Sequence, residues 1–237
     1  LERQSMIYSD LADRFRMAKD FDLAINFANK ATKVNPDYGY GYLILGKTYQ
    51  DMEKYEGAIR AFNKVKRNDP YYESANELSG TTYFDRLFKY EEAYQKFKEL
   101  IKLYPNNISH TLNFVEANFA TGRFEEAYRL AQKMLEETDI SKKLLLYEQL
   151  TMKFIMISSL VMQGNIGEAH KKLNDLINFY KGVVKDYQTS WSYSGTKNFI
   201  KERSMDEKKR RLLLKLIDIL ETPTPDISLE QFEKLIE

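Results

Sequence analysis

The sequence predicts an all-α chain: a right-handed α-solenoid of antiparallel helix pairs, closed by C-terminal capping helices. Three observations carry this. Ala24, Ala58, Ala93 and Ala127 recur at spacings of 34, 35 and 34 residues. Each has an aromatic three residues earlier (Phe21, Tyr55, Tyr90, Phe124) and an apolar residue four later (Ala28, Phe62, Phe97, Ala131). A proline follows the first three copies twelve residues on, at Pro36, Pro70 and Pro105. Self-similarity at one period marks a stacked repeat array, in which each unit buries its apolar face only against its neighbours.

Each unit reads as two helices joined by a polar turn. In the first, Tyr8, Leu11, Ala12 and Phe15 precede Phe21 and Ala24 across a turn at Lys19-Asp20. In the second, Tyr42, Leu45, Gly46 and Tyr49 share one helical face. Tyr55, Ala58, Phe62 and Val65 form the facing stripe, which Asn68-Asp69-Pro70 ends because a residue before proline avoids the helical region. Gly46 and Ala58 are small where the two helices cross, and larger side chains there would overpack at a cost of roughly 1–3 kcal/mol. The third unit has Gly80, Tyr83, Tyr90, Ala93 and Phe97, with one extra residue in its Leu87-Phe88-Lys89 turn. The fourth keeps Phe114, Gly122, Phe124 and Ala127, with Asp139 in the proline's place, and a divergent fifth has Gly164, Ile166, Ala169, Leu173 and Leu176.

These residues resemble the tetratricopeptide repeat family. Tyr42-x-x-Leu45-Gly46-x-x-Tyr49 followed by Tyr55-x-x-Ala58, Phe62 and Pro70 carries the likeness most fully, and it extends over roughly residues 5–181. The array of about five hairpins is assigned to 1–182, a degenerate sixth hairpin or capping segment to 183–221, and a connector with the start of a further helix to 222–237.

Beyond Asp139 the period stretches. Residues 141–163 contain no Gly or Pro and read as one long helix striped by Leu146, Leu150, Phe154, Ile157 and Val161, part of it projecting beyond the stack as a strut or docking helix. Residues 183–203 are the least periodic, although Trp191 and Gly195 repeat the spacing of Tyr42 and Gly46. Ser204-Met205-Asp206-Glu207 reads as a capping box opening a helix to about Leu220, whose Leu212, Leu213, Leu216, Ile219 and Leu220 face inward. Thr222-Pro223-Thr224-Pro225 is a stiff connector, and Ser228-Leu229-Glu230-Gln231 a second capping box.

A net charge of +1 gives no long-range pull toward nucleic acid or anionic lipid. The absence of cysteine removes disulfide scaffolds, Cys-ligated zinc and thiol nucleophiles, and fits a cytoplasmic, reducing location. No apolar run approaches the ~20 residues of a membrane span. The first residue is Leu1 and the last stretch is apolar, which reads as a piece of a longer protein. His110 and His170 fall in different units, and no nucleotide-binding or nucleophile motif is present. No enzyme activity, cofactor or metal is therefore expected. Lys208-Lys209-Arg210-Arg211 spreads around one helix and reads as a solvated face, while Tyr8, Tyr42, Tyr49, Tyr55, Tyr83 and Tyr90 sit at repeat-core positions with their hydroxyls at the edge.

The family resemblance implies that the first helix of each unit lines a concave, peptide-binding surface. Carried onto this sequence, that surface takes Ser9, Asp13 and Arg16; then Tyr40, Leu43, Lys47 and Gln50; then Glu77, Thr81 and Phe84; then Leu112, Glu116 and Phe119. A subclass clamps a peptide's terminal carboxylate with Lys and Asn, but here Ser9, Asp13 and Ile44 stand at those positions, so the clamp is absent. The mixture of acids with apolar and aromatic groups favours a protein or peptide of basic or apolar character. The leading expectation is a non-catalytic interaction scaffold. The alternatives are a regulatory or sensor domain of a larger enzyme, holding a catalytic domain in cis, and an assembly factor of a bacterial envelope.

Overall fold

A computed structural model of the chain describes residues 1–187, 189, 191–222 and 228–236, apart from the side chains of 138 and 236. The fold is the α-solenoid class, with no strand among the described residues. The helices fall into two compact units, Leu1–Leu103 and Tyr104–Glu237.

The first unit is three hairpins: α1 (Glu2–Met17) with α2 (Phe21–Val34), α3 (Gly39–Asp51) with α4 (Tyr55–Phe62), and α5 (Tyr72–Asp85) with α6 (Tyr90–Leu103). Ala24, Ala58 and Ala93 are fully buried where the pairs meet. What faces Gly46 and Gly80 is an aromatic ring from the partner helix. A β-carbon on Gly46 would come within 2.3 Å of the Phe62 ring, and one on Gly80 within 2.5 Å of Phe97. Burying each ring contributes roughly 1.5–3 kcal/mol, and the glycine is the space it occupies. The repeat-core tyrosines, Tyr8, Tyr42, Tyr49, Tyr55, Tyr83 and Tyr90, are all half-buried. α4 ends at Phe62, earlier than the proline implies, and Val65 stays in the core from the turn that follows.

The second unit contains α7 (Ile108–Ala120), α8 (Phe124–Glu136), α9 (Thr138–Ser141), α10 (Leu146–Met162), α11 (Ile166–Val183), α12 (Ser194–Glu202), α13 (Glu207–Glu221) and α14 (Glu230–Ile236). Two expectations need correcting here. The stretch 141–163 is not one helix: Leu145 is extended, its N–H donates to Glu148 Oε2 at 2.7 Å, and α10 starts one residue on. Nor does α10 project. It packs against α7, α8, α11 and α13, and Met152, Ile155, Met156 and Leu160 are buried along with the expected stripe from Leu150 to Val161. A helix apolar all round is a buried helix. The cap of α13 is Asp206 rather than Ser204, its carboxylate accepting from the N–H groups of Lys208 and Lys209. Leu212, Leu213, Leu216, Ile219 and Leu220 are buried as expected. Ser228 N–H meets Gln231 Oε1 at 3.5 Å ahead of α14, whereas the connector at 223–225 lies outside the described residues.

The turns between paired helices each contain a left-handed residue: Lys19, Glu53 and Phe88 at φ 61°, 58° and 53°, then Gly122 and Gly164 at 81° and 79°. The last two turns use the residue for which this conformation is free of cost, and the first three do not.

Candidate functional site

The first-helix faces of the two units differ. In the first unit the face is open. Asp13, Arg16, Tyr40, Lys47, Glu77 and Thr81 are half-buried on α1, α3 and α5, and Met6 beside them is 43% exposed. Arg16 is held by two acids, Asp13 Oδ1 at 2.9 Å and Asp51 Oδ2 at 2.8 Å, and Gln50 Nε2 donates to Thr82 Oγ1 at 2.6 Å. Ser9, Leu43 and Phe84, expected on this face, are buried instead. Leu43 belongs to the cluster around Ala58 and Phe62, and Phe84 packs edge-on to Tyr90 at 5.5 Å.

At the rim of the same face three tyrosines gather. Tyr40 and Tyr71 stack with centroids 4.8 Å apart, and Tyr38 stands edge-on to Tyr71 at 6.2 Å and to Tyr40 at 6.3 Å. Tyr38 and Tyr71 are the N-cap residues of α3 and α5, and neither side chain caps its helix. Asp69 bridges the two helix entrances instead: Oδ2 accepts the N–H of Gly39 at 2.7 Å and Oδ1 that of Tyr71 at 2.8 Å. Burial, with the charges of Asp13 and Asp10, pushes the Tyr40 phenol up. Burial, the Tyr71 hydrogen bond and Asp10 do the same for Tyr38.

In the second unit the corresponding positions are covered. Leu112 and Phe119 are fully buried and Glu116 is 3% exposed. The cover is the aperiodic stretch that leads into α12. Glu116 Oε1 accepts from the Trp191 indole Nε1 at 2.5 Å, and Oε2 from the Thr196 hydroxyl at 2.8 Å. Phe199 packs edge-on to Phe119 at 5.3 Å, and Trp191 stacks on Tyr147 at 5.9 Å. Tyr193 is buried and shares a 2.5 Å hydrogen bond with Thr151, while Tyr187 donates to the Leu220 carbonyl. Leu112, Glu116 and Phe119 are thus core residues in this structure, not an open groove. The signal was in the sequence. Glu116 is the one charged residue of α7, and ten of its 13 residues are buried, against six of 13 in α3.

His110 is buried beside Tyr104, and His170 lies 3.9 Å from Glu233. Among the described residues no group of three or more His, Cys, Asp or Glu could hold a metal ion, and no helix is long and apolar enough to cross a membrane. The basic run of α13 is tied back in part, with Arg210 and Arg211 both paired to Glu207.

Helix hairpins stacked in register, with small residues at the crossings and an exposed first-helix face, define a helical-repeat protein. Residues 40–72 and 78–107 each match a family model described as tetratricopeptide repeat. Protein bimA of Emericella nidulans is 29% identical over 97 residues, which is 41% of this chain and 12% of that protein. The chain thus spans a small part of that relative's length. A crystal structure of MamA protein superposes with a TM-score of 0.64 at 20% identity, covering 81% of this chain and all of that one. A second MamA crystal structure gives 0.60 at 20% identity, covering 74% and 97%. At such identities the likeness is one of fold.

Proposed function

We propose that the protein is a non-catalytic protein–protein interaction scaffold that receives a partner segment on the first-helix face of residues 1–103. One observation carries this reading. The repeat positions that in α1, α3 and α5 leave Asp13, Arg16, Lys47 and Thr81 accessible are filled from within the chain in α7, where Trp191, Thr196 and Phe199 occupy Glu116 and Phe119. The chain's own segment supplies the indole, hydroxyl and ring that an external ligand would bring, so the face left for a partner is that of α1, α3 and α5. Extended and helical segments bind such faces through a few anchors, with charge setting partner choice.

Site-specific photo-crosslinking in the native host tests this. A photoreactive residue at Lys47 or Thr81 should give discrete adducts with one partner, and the same residue at Lys33 or Lys98, exposed on the second helices, should not. Adducts arising only from Lys33 or Lys98, or equally from all four sites, would contradict the assignment.

A further inference from the structure

Resting on that reading of the face, we propose that Tyr38, Tyr40 and Tyr71, together with Asp10 and Asp13, form a seat for an arginine side chain of the partner segment. Local folding rules do not account for these tyrosines. Helix N-caps favour Ser, Thr, Asp or Asn, whose side-chain oxygens accept a backbone N–H. Here two N-caps are tyrosines that make no such bond, and the capping work falls to Asp69, thirty residues from Gly39 and two from Tyr71. Departures from a local rule that are compensated elsewhere are expected at functional or strained positions.

Asp69 also fixes the geometry. By holding the entrances of α3 and α5 together it sets Tyr40 and Tyr71 in their stack at 4.8 Å, with Tyr38 edge-on to both. The three rings are half-buried, so part of their surface meets solvent while their positions are held by packing. Asp10 on α1 is exposed, and Asp13 lies one helical turn further along. Burial and the charges of Asp13 and Asp10 together raise the Tyr40 phenol, Arg16 opposing them, and Asp10 acts on Tyr38 as well.

A planar guanidinium suits that combination. It stacks on an aromatic face and pairs with a carboxylate through its edge, and it is more weakly hydrated than an ammonium. Asp13 already pairs with Arg16 of the same helix at 2.9 Å, an intramolecular example of the chemistry. Asp10 is therefore the acid expected to contribute most to a new cation.

The test uses the full chain with its tyrosine rings isotopically labelled, titrated with a synthetic peptide of alternating alanine and arginine. Lysine and citrulline versions serve as comparisons. Saturable shifts of the Tyr38, Tyr40 and Tyr71 ring signals are expected with the arginine peptide, weaker ones with lysine and none with citrulline. Asp10→Asn, at an exposed position on α1, should weaken binding threefold or more. Tyr40→Phe should retain binding and Tyr40→Leu should lose it, with helicity checked by circular dichroism. Equal shifts from citrulline, the absence of saturable shifts at these rings, or full binding by Asp10→Asn would each overturn the seat. Crosslinking at Lys47 and Thr81 that persists in the Tyr40→Leu variant would leave the binding face standing while the seat fails. Loss of crosslinks from the wild-type chain would remove the face itself.

Discussion

Asp69 occupies the space that a side chain on Gly39 would need. Its Oδ2 accepts the Gly39 N–H at 2.7 Å, and a β-carbon on that glycine would lie 2.4 Å from Oδ1. Gly39 is buried at the first position of α3, with an ordinary helical backbone, so its value lies in the missing atom and not in conformational freedom. Gly39→Ala should lower stability by about 1–3 kcal/mol, because it forces the carboxylate away from two amides at once. Chemical denaturation measures this. An unchanged midpoint would mean that Asp69 shifts without cost and does not hold the two helix entrances.

The hairpin turns give a prediction of opposite sign. Glu53 is exposed and left-handed at φ 58°, with its N–H bonded to the Gln50 carbonyl at 2.9 Å. A non-glycine residue in that conformation costs about 1–2 kcal/mol, part of which glycine gives back through its freer unfolded chain. Glu53→Gly should therefore raise the denaturation midpoint by a modest amount. A lower midpoint would show that the side chain stabilises the turn.

Much of the fold was legible because it repeats. The four alanines at one period, the turns at Lys19-Asp20 and Leu87-Phe88-Lys89 and the inward leucines of α13 all follow from spacing, and all lie where the pattern puts them. What was not legible involves contacts without a period. Trp191 meets Glu116 across 75 residues, and Asp69 meets Gly39 across 30, so neither pairing leaves a trace in any local window. The start of α10 was missed because its break uses no Gly or Pro, only a leucine whose amide is taken by Glu148. For the candidate site, half of the positions drawn from the repeat register remain accessible. Leu43 and Phe84 turn into the core of their own hairpins, Leu112 is buried, and Glu116 and Phe119 lie under a segment that has no counterpart in the earlier repeats.

Glu116 is the polar link in that cover. A buried carboxylate that accepts from both an indole and a hydroxyl leaves two donors unpaired when removed, at about 1–3 kcal/mol each. Glu116→Ala should be strongly destabilising, and Glu116→Gln, which keeps one acceptor oxygen, less so. Thermal melts of the two variants test the order. Equal melting temperatures would indicate that the carboxylate contributes only bulk.

Burial pushes the Tyr187 phenol up to about 12, against about 10 for an unperturbed tyrosine. A raised folded value means that the stabilisation is fully present below pH ~10 and is lost as pH rises toward about 12, because the unfolded chain ionises first. Stability should therefore fall through that alkaline window. Tyr187→Phe, which cannot ionise, should fall less steeply over the same range. Parallel slopes for the two proteins would place the alkaline sensitivity elsewhere.

Trp191 is the chain's single tryptophan, and its indole both stacks on Tyr147 and donates to Glu116. Its fluorescence therefore reports directly on whether the chain fills its own first-helix face in α7 and so leaves partners to the face of residues 1–103. Acrylamide quenching of the native protein is the measurement. Quenching should stay well below that of free N-acetyltryptophanamide and rise to the free value only on unfolding. Native-state quenching as efficient as that of the free compound would contradict it, by showing that the indole is not seated on α7.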